Sequence, residues 1–388
     1  MTQTHIAFTE MSDSRSAGRE LGESIRTAFQ GSPADAVVVF ASAAHDYPAL
    51  LGALAAEAGT RTIAGSSSAG EFTDKRRGEG RVSAMALRSR DMKFSVGLGQ
   101  GVSSDAADAA RQSVEGFVGL TKPAFPFRSA LVMTDALAGH TDSLVEQLTL
   151  RTGGNYRFFG GGAGDDGRFH TTHVFAGTQA YTDAVSALEI VSRKPVGIGV
   201  AHGWQPGSAA FRVTEAQGSR LVSLNGAPAI EAFREYASQT GQRLDEKEPL
   251  PFFLHNVIGI RGDAGFRLRV PLGVQEDGSI LCAAAVPEGS VVQIMKTTNA
   301  SAVQAARQAT EAALTAIAGE RPAAAFVFDC VATRLRLGRE FDDELSACTR
   351  MLEPAGFVGC NTYGQIARAE GQFSGFHNCT AVVCVLPA

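Results

Sequence analysis

Gly359-Cys360-Asn361-Thr362-Tyr363-Gly364-Gln365-Ile366 has a counterpart far upstream, Gly65-Ser66-Ser67-Ser68-Ala69-Gly70-Glu71-Phe72. Both run glycine, four small or polar residues, glycine, an amide or carboxylate, then a large apolar residue. Short apolar segments lead in, Arg61–Ala64 and Gly356–Val358, and apolar runs follow, Val82–Leu87 and Thr380–Val385. Glycine tolerates positive φ and close backbone approach, so each octapeptide reads as a tight turn with exposed N–H groups between two strands. Gly160-Gly161-Gly162-Ala163-Gly164-Asp165-Asp166 is a looser third copy. Three such turns imply an internally repeated fold whose turns converge on one site.

Outward from the turns, the same order of elements recurs. Ala36–Ala41, Ser129–Asp135 and Ala324–Cys330 read as buried strands. Tyr47–Gly59, His140–Arg151 and Phe341–Leu352 read as the helices after them, and Ser12–Gln30, Ser104–Val118 and Ser301–Ala318 as further helices. Strands and helices mix throughout, which places the chain in the α/β (mixed α+β) class with mixed sheets. A chain of 388 residues exceeds what one core supports, so two domains are expected. The polar stretch 238–251, with a glycine and two prolines, sets the boundary, giving domains 1–237 and 238–388.

Composition excludes several functions. Net charge is −5 and Lys75-Arg76-Arg77 is the densest basic run, so no nucleic-acid face is present. No apolar run approaches the roughly 18 residues of a membrane span. No basic-then-apolar leader opens the chain, so a cytoplasmic protein is expected. All six cysteines lie in the last third without a CxxC pair and read as free core thiols.

The ordered series of motifs resembles the FIST family over nearly the whole chain. Gly65–Glu71, Gly161–Asp165, Thr172–Phe175, Gly203–Pro206 and Asn225–Ala229 resemble its N-terminal domain. Pro271–Gly273, Asp277–Ile280, Val286–Gly289, Gly359–Ile366 and His377–Thr380 resemble its C-terminal domain. The resemblance implies a bacterial, cytoplasmic, non-enzymatic small-ligand sensor that works with signalling proteins such as sensor histidine kinases. Lacking a fused output domain, the chain is similar to the branch described as haem-binding nitric oxide sensors, which implies haem b. Other members imply non-haem metabolites such as amino acids.

Ligand capture falls to Gly65, Ser66, Ser67, Ser68, Gly70 and Glu71, to Gly161, Gly162 and Asp165, and to Cys360, Asn361, Thr362, Gly364 and Gln365. Exposed N–H groups in such turns hold carboxylates or phosphates, and Glu71 accepts from an ammonium or N–H donor. The competing reading is that the glycines serve only tight turns and Glu71 caps a neighbouring backbone. Gly364→Val is expected to abolish ligand response without unfolding the chain. His377, shortly after the Gly359–Ile366 turn and inside His377-Asn378-Cys379-Thr380, is the favoured haem-iron ligand, although a histidine there also suits a turn hydrogen bond. An enzyme is the alternative, with Cys360 as nucleophile and His377, 17 residues on, as base. No Gly-x-Ser-x-Gly elbow, no His-Glu-x-x-His helix and no Gly-x-Gly-x-x-Gly fingerprint opening a Rossmann unit supports it.

Overall fold

The computed structural model describes residues 1–121, 124–262, 265–369 and 374–388. The repeat occurs three times. The first unit runs strand Thr2–Thr9, helix Ser14–Ala28, strand Ala36–Ala41, helix Tyr47–Ala58, strand Ile63–Ser67, hairpin Glu71–Thr73 and Arg77–Gly78, then strand Val82–Ser89. The second runs Met92–Gln100, helix Ala106–Val114, Phe127–Thr134, helix Thr141–Arg151, Arg157–Gly162, hairpin Val174–Ala176 and Gln179–Tyr181, then Ala184–Ser192. The third runs Gly197–Ala201, helix Asn299–Ala316, Pro322–Cys330, helices Val331–Leu337 and Phe341–Leu352, Phe357–Thr362, hairpin Gln365–Arg368 and Ser374–His377, then Ala381–Pro387.

Each unit builds a six-stranded sheet in one order: first strand, last strand, then the two parallel strands joined by the second helix. The edge is completed by a hairpin from another unit. Glu71–Thr73 pairs with Phe357–Thr362, Val174–Ala176 with Ile63–Ser67, and Gln365–Arg368 with Arg157–Gly162. The exchange is cyclic, so no unit closes its sheet alone. The turns link these sheets because each lies between a unit's own parallel strand and the hairpin it gives away.

The three sheets share one apolar interior, including Phe40, Met85, Leu131, Phe159, Phe326 and Cys384. Outer faces pack against the helices: Leu21, Ile25 and Leu54 on the first sheet, Leu144 and Leu148 on the second, Ala309 and Leu345 on the third. Strands such as Ala36–Ala41 are therefore buried on both faces and read as unbroken apolar runs. Helix starts follow from their caps. Asp13 and Asp46 accept from Ser16 N and Ala49 N, and Thr298 forms a capping box with Ser301.

Residues 205–296 are inserted between the first strand and first helix of the third unit. Among the described residues they form a nine-stranded antiparallel sheet with helix Ala229–Thr240. Its core joins Phe233 and Tyr236 to Phe252, Phe253 and Ile258, across the 238–251 stretch. The boundary expected at 237/238 thus falls inside this lobe, because a polar, proline-containing surface loop has the composition of a linker. Arg269, 1% exposed, ties the lobe to the second sheet, donating to both Asp142 oxygens at 3.0 and 2.8 Å and to the Phe376 carbonyl at 3.1 Å. No helix among the described residues is long and apolar enough to cross a membrane.

Candidate functional site

The equivalence of the turns is set by a steric constraint. A Cβ on Gly65, Gly160 or Gly359 would lie 1.8, 2.1 or 2.0 Å from the carbonyl oxygen of Val39, Val132 or Val327 on the neighbouring parallel strand. Those three glycines align the turns residue by residue. The turns then meet at one end of the prism that the three sheets form around their shared interior, in a ring of backbone bonds: Ala69 N to Asn361 O at 2.9 Å, Tyr363 N to Gly162 O at 2.9 Å, and Gly164 N to Ser67 O at 3.0 Å. In each, the fifth residue of one turn donates to the third residue of the next, a pseudo-threefold arrangement. Two more bonds, Asn361 N to Gly70 O and Gly162 N to Gly364 O, repeat as well. The third equivalent is replaced by Ser67 N to His173 O, because residues 165–173 are inserted in the second turn.

The turns therefore converge, but their amides are not the free anion cradle expected from the glycines. The N–H groups of Ser67, Ser68, Ala69, Gly162, Gly164, Asn361 and Tyr363 bond to other backbone. The physical reason is mutual: each turn supplies the carbonyls its neighbour needs, which a single turn read alone does not show.

Side chains sort the remaining candidates. Ser67 Oγ accepts from His173 N at 2.8 Å, while the buried Ser66 Oγ has no partner. Gly161 pairs with Gln365 across the sheet. Asp165 accepts from the N–H groups of Phe169, His170 and Thr171 and from the Tyr363 hydroxyl. Burial opposes its charge, yet these donors hold its carboxyl below the usual range. Gln365 donates to Thr362 Oγ1 at 2.9 Å and accepts from Thr380 N at 3.3 Å. Glu71 is its pseudo-symmetric mate, bonded to Ser68 Oγ and accepting from Arg81 N at 3.0 Å. Fully buried, Glu71 has its pKa pushed up to about 8 by desolvation, which outweighs the two hydrogen bonds.

Cys360 belongs to the apolar interior, and burial drives its thiol pKa well up. That removes it as an accessible nucleophile. His377 is 2% exposed, and its pKa falls to about 3 through burial and then the charges of Arg269 and Arg267. Its ring lines neither cavity described below, so it does not fit the role of a haem-iron ligand facing a porphyrin pocket.

Two ligand-sized spaces flank the ring, separated by helix Val331–Leu337, with Leu335 lining both. On one side is a groove of about 560 Å³ where the charged or polar Glu71, Asn361, Arg77, Arg334 and Arg339 stand beside the apolar Phe72, Leu335 and Phe341. On the other is a mainly apolar cavity of about 350 Å³ between the ring and the inserted lobe. Tyr363, Gly364, Val331 and Ala332 form its prism side, and Leu254 and Leu272 its lobe side, with Asn378 and Cys330 among its few polar groups. Cys330, Asn378 and Arg334 were not singled out from the sequence. Cys330 holds the position of Ser42 and Asp135 after the equivalent strands, a signal available only once the three valines are aligned.

Cys330 is chemically distinct. Its pKa falls to about 7, chiefly through a hydrogen bond from the Cys379 thiol, whereas burial or that same contact raises the other five cysteines. Iodoacetamide at pH 8 is expected to alkylate Cys330 first, by way of the cavity, as read by peptide mass spectrometry. Equal labelling of Cys282 or Cys348 would contradict this assignment.

The arrangement defines an α/β protein with ligand-sized spaces where three sheets end. The FIST N domain matches residues 35–227 and the FIST C domain residues 229–368. The chain belongs to the FIST family, whose domains are small-ligand sensory domains in signalling. No curated protein matches it. Among solved structures, cyanuric acid hydrolase from A. caulinodans is similar over 99% of both chains, at 7% identity and a TM-score of 0.38, a likeness too weak to carry an argument.

Proposed function

We propose that this chain is a non-enzymatic sensor whose small, mostly apolar ligand occupies the cavity between the glycine-turn ring and the inserted lobe. The observation that carries the reading is the cavity's lining. It joins Gly364 and Tyr363 of the repeated turn to apolar side chains of the lobe, with Asn378 and Cys330 placed to orient a polar group. A ligand there bridges two parts of the molecule that are otherwise joined through contacts such as Arg269 with Asp142. Binding fixes the lobe against the prism and so changes the outer surface offered to a signalling partner, a sensor histidine kinase in the reading the resemblance gives. Haem and nitric oxide sensing rest on that resemblance, and the buried His377 does not support them.

Ala283, exposed at the cavity mouth, offers a test away from the core. In a thermal-shift screen of small apolar metabolites, a ligand at 100 times its Kd is expected to raise the Tm by a few degrees, from about 2.7 kcal/mol of linkage. Ala283→Trp, filling the mouth, is expected to abolish the rise and leave the ligand-free Tm unchanged. A shift that survives this variant would place the ligand elsewhere.

A further inference from the structure

We infer that the arginine-lined groove on the opposite side of helix Val331–Leu337 is a second site, for a small oxyanion of carboxylate or phosphoryl type. Asn361 is 1% exposed and lines this groove, and its Nδ2 has no hydrogen-bond partner. Arg334 Nε is also buried and unpartnered. A buried donor without an acceptor is costly, so two of them beside one space indicate a missing acceptor. Both flank Gly70: a Cβ there would stand 2.9 Å from Asn361 Oδ1 and 3.6 Å from Arg334 Nε. With glycine at this point, the wall between the two side chains stays bare backbone.

The charges favour an anion over a neutral carbonyl. Glu79 is matched by Arg334, and Asp342 outside the lining is matched by Arg77. Glu71, bonded to Ser68 and Arg81 N, is kept mostly protonated at neutral pH by its burial and so does not cancel an arginine. Arg339 lines the groove with no ion pair among the described residues, leaving a surplus positive charge. Arg339 and Arg334 thus supply charge-assisted donors and Asn361 a neutral one, a set that matches an oxygen-rich anionic head. Phe341 and Leu335 leave room for a short apolar body.

The test is isothermal titration and thermal shift of the full chain with inorganic phosphate and, separately, succinate, against chloride at equal ionic strength. One or both anions are expected to bind and raise the Tm, and which one does separates a phosphoryl from a carboxylate ligand. Asn361→Asp, isosteric but repulsive, and Arg334→Gln are expected to abolish binding. Arg339→Gln is expected to weaken it about tenfold, the loss of one exposed charge contact. Ligand-free Tm values report whether each variant folds, and Arg339→Gln at the surface keeps the test decisive if Arg334→Gln does not. Ala283→Trp is expected to leave anion binding intact, so a failure here is distinct from a failure of the apolar site. Absence of any shift beyond chloride at about 10 mM anion, or binding undiminished in Asn361→Asp and Arg339→Gln, would mean that only water fills the groove, and would overturn the inference.

Discussion

Gly65→Ala is expected to yield little or no folded protein, with a stability loss of about 4 kcal/mol or more, at the extreme of single substitutions. The added methyl would stand 1.8 Å from the Val39 carbonyl oxygen, closer than any non-bonded contact allows, and the obstacle is backbone in a parallel sheet. Gly65 also has φ +148°, a conformation that L side chains rarely adopt. Relief would require parting the parallel strands Ala36–Ala41 and Ile63–Ser67, which are buried on both faces. Gly160, at 2.1 Å and φ +136°, should behave alike. Gly52, inside helix Tyr47–Ala58 with nothing within 4 Å of an added Cβ, is the control. Gly52→Ala is expected to stabilise by about 0.5–1 kcal/mol, since alanine has the better helix propensity. Soluble yield and urea midpoints decide, and a wild-type midpoint for Gly65→Ala would refute the steric account. The same geometry changes what Gly364→Val can test. Gly364 has φ +97° and an added Cβ would fall 2.1 Å from the Phe376 ring, so valine there challenges the fold before any ligand.

The repeat was legible because its two strongest signals are local: a glycine forced by a neighbouring carbonyl and a strand buried on both faces. Ala36–Ala41 and Phe341–Leu352 appear with the very limits their apolar runs suggest. Strand Thr2–Thr9 was not read, since Thr-Gln-Thr-His lacks apolar alternation and its register is imposed by Val82–Ser89. Helix Val331–Leu337 was missed because it follows a strand directly and starts without a side-chain cap. The cyclic hairpin exchange has no local signature, because which sheet Glu71–Thr73 joins is decided by pairing with Phe357–Thr362, far along the chain. For the site, the sequence located the ring but not the state of its amides. Whether an N–H is free depends on which carbonyl faces it, and here the facing carbonyl belongs to another copy of the same turn. Glu71, Phe72 and Asn361 line the groove and Tyr363 and Gly364 the apolar cavity, while backbone bonds of the turns hold the three sheets together.

Glu71→Gln is expected to stabilise the protein at neutral and alkaline pH, an unusual outcome for a fully buried residue. Desolvation lifts the folded-state pKa of Glu71 to about 8, with Asp166 adding to the rise and Arg334 opposing it. The unfolded value is near 4.3, so folding favours the protonated acid. Its contribution is fully present below the unfolded pKa, is lost as pH rises toward 8, and above that the fold bears the cost of a buried carboxylate. Glutamine does not titrate, so variant and wild type should be similar near pH 4. They should diverge between about pH 4.5 and 8 and differ by on the order of 3–5 kcal/mol beyond it. The third unit already holds the substituted form. Gln365, at the equivalent position, donates to Thr362 Oγ1 and accepts from Thr380 N, and Ser68 Oγ and Arg81 N occupy the same places around Glu71. The amide therefore finds both partners in place. Urea unfolding of both proteins at pH 5, 7 and 9 measures the divergence. A difference that does not change with pH, or a Glu71→Gln protein less stable at pH 9, would mean that Glu71 is held ionised by charge it finds in the groove. That would make it part of ligand recognition instead of a neutral strut.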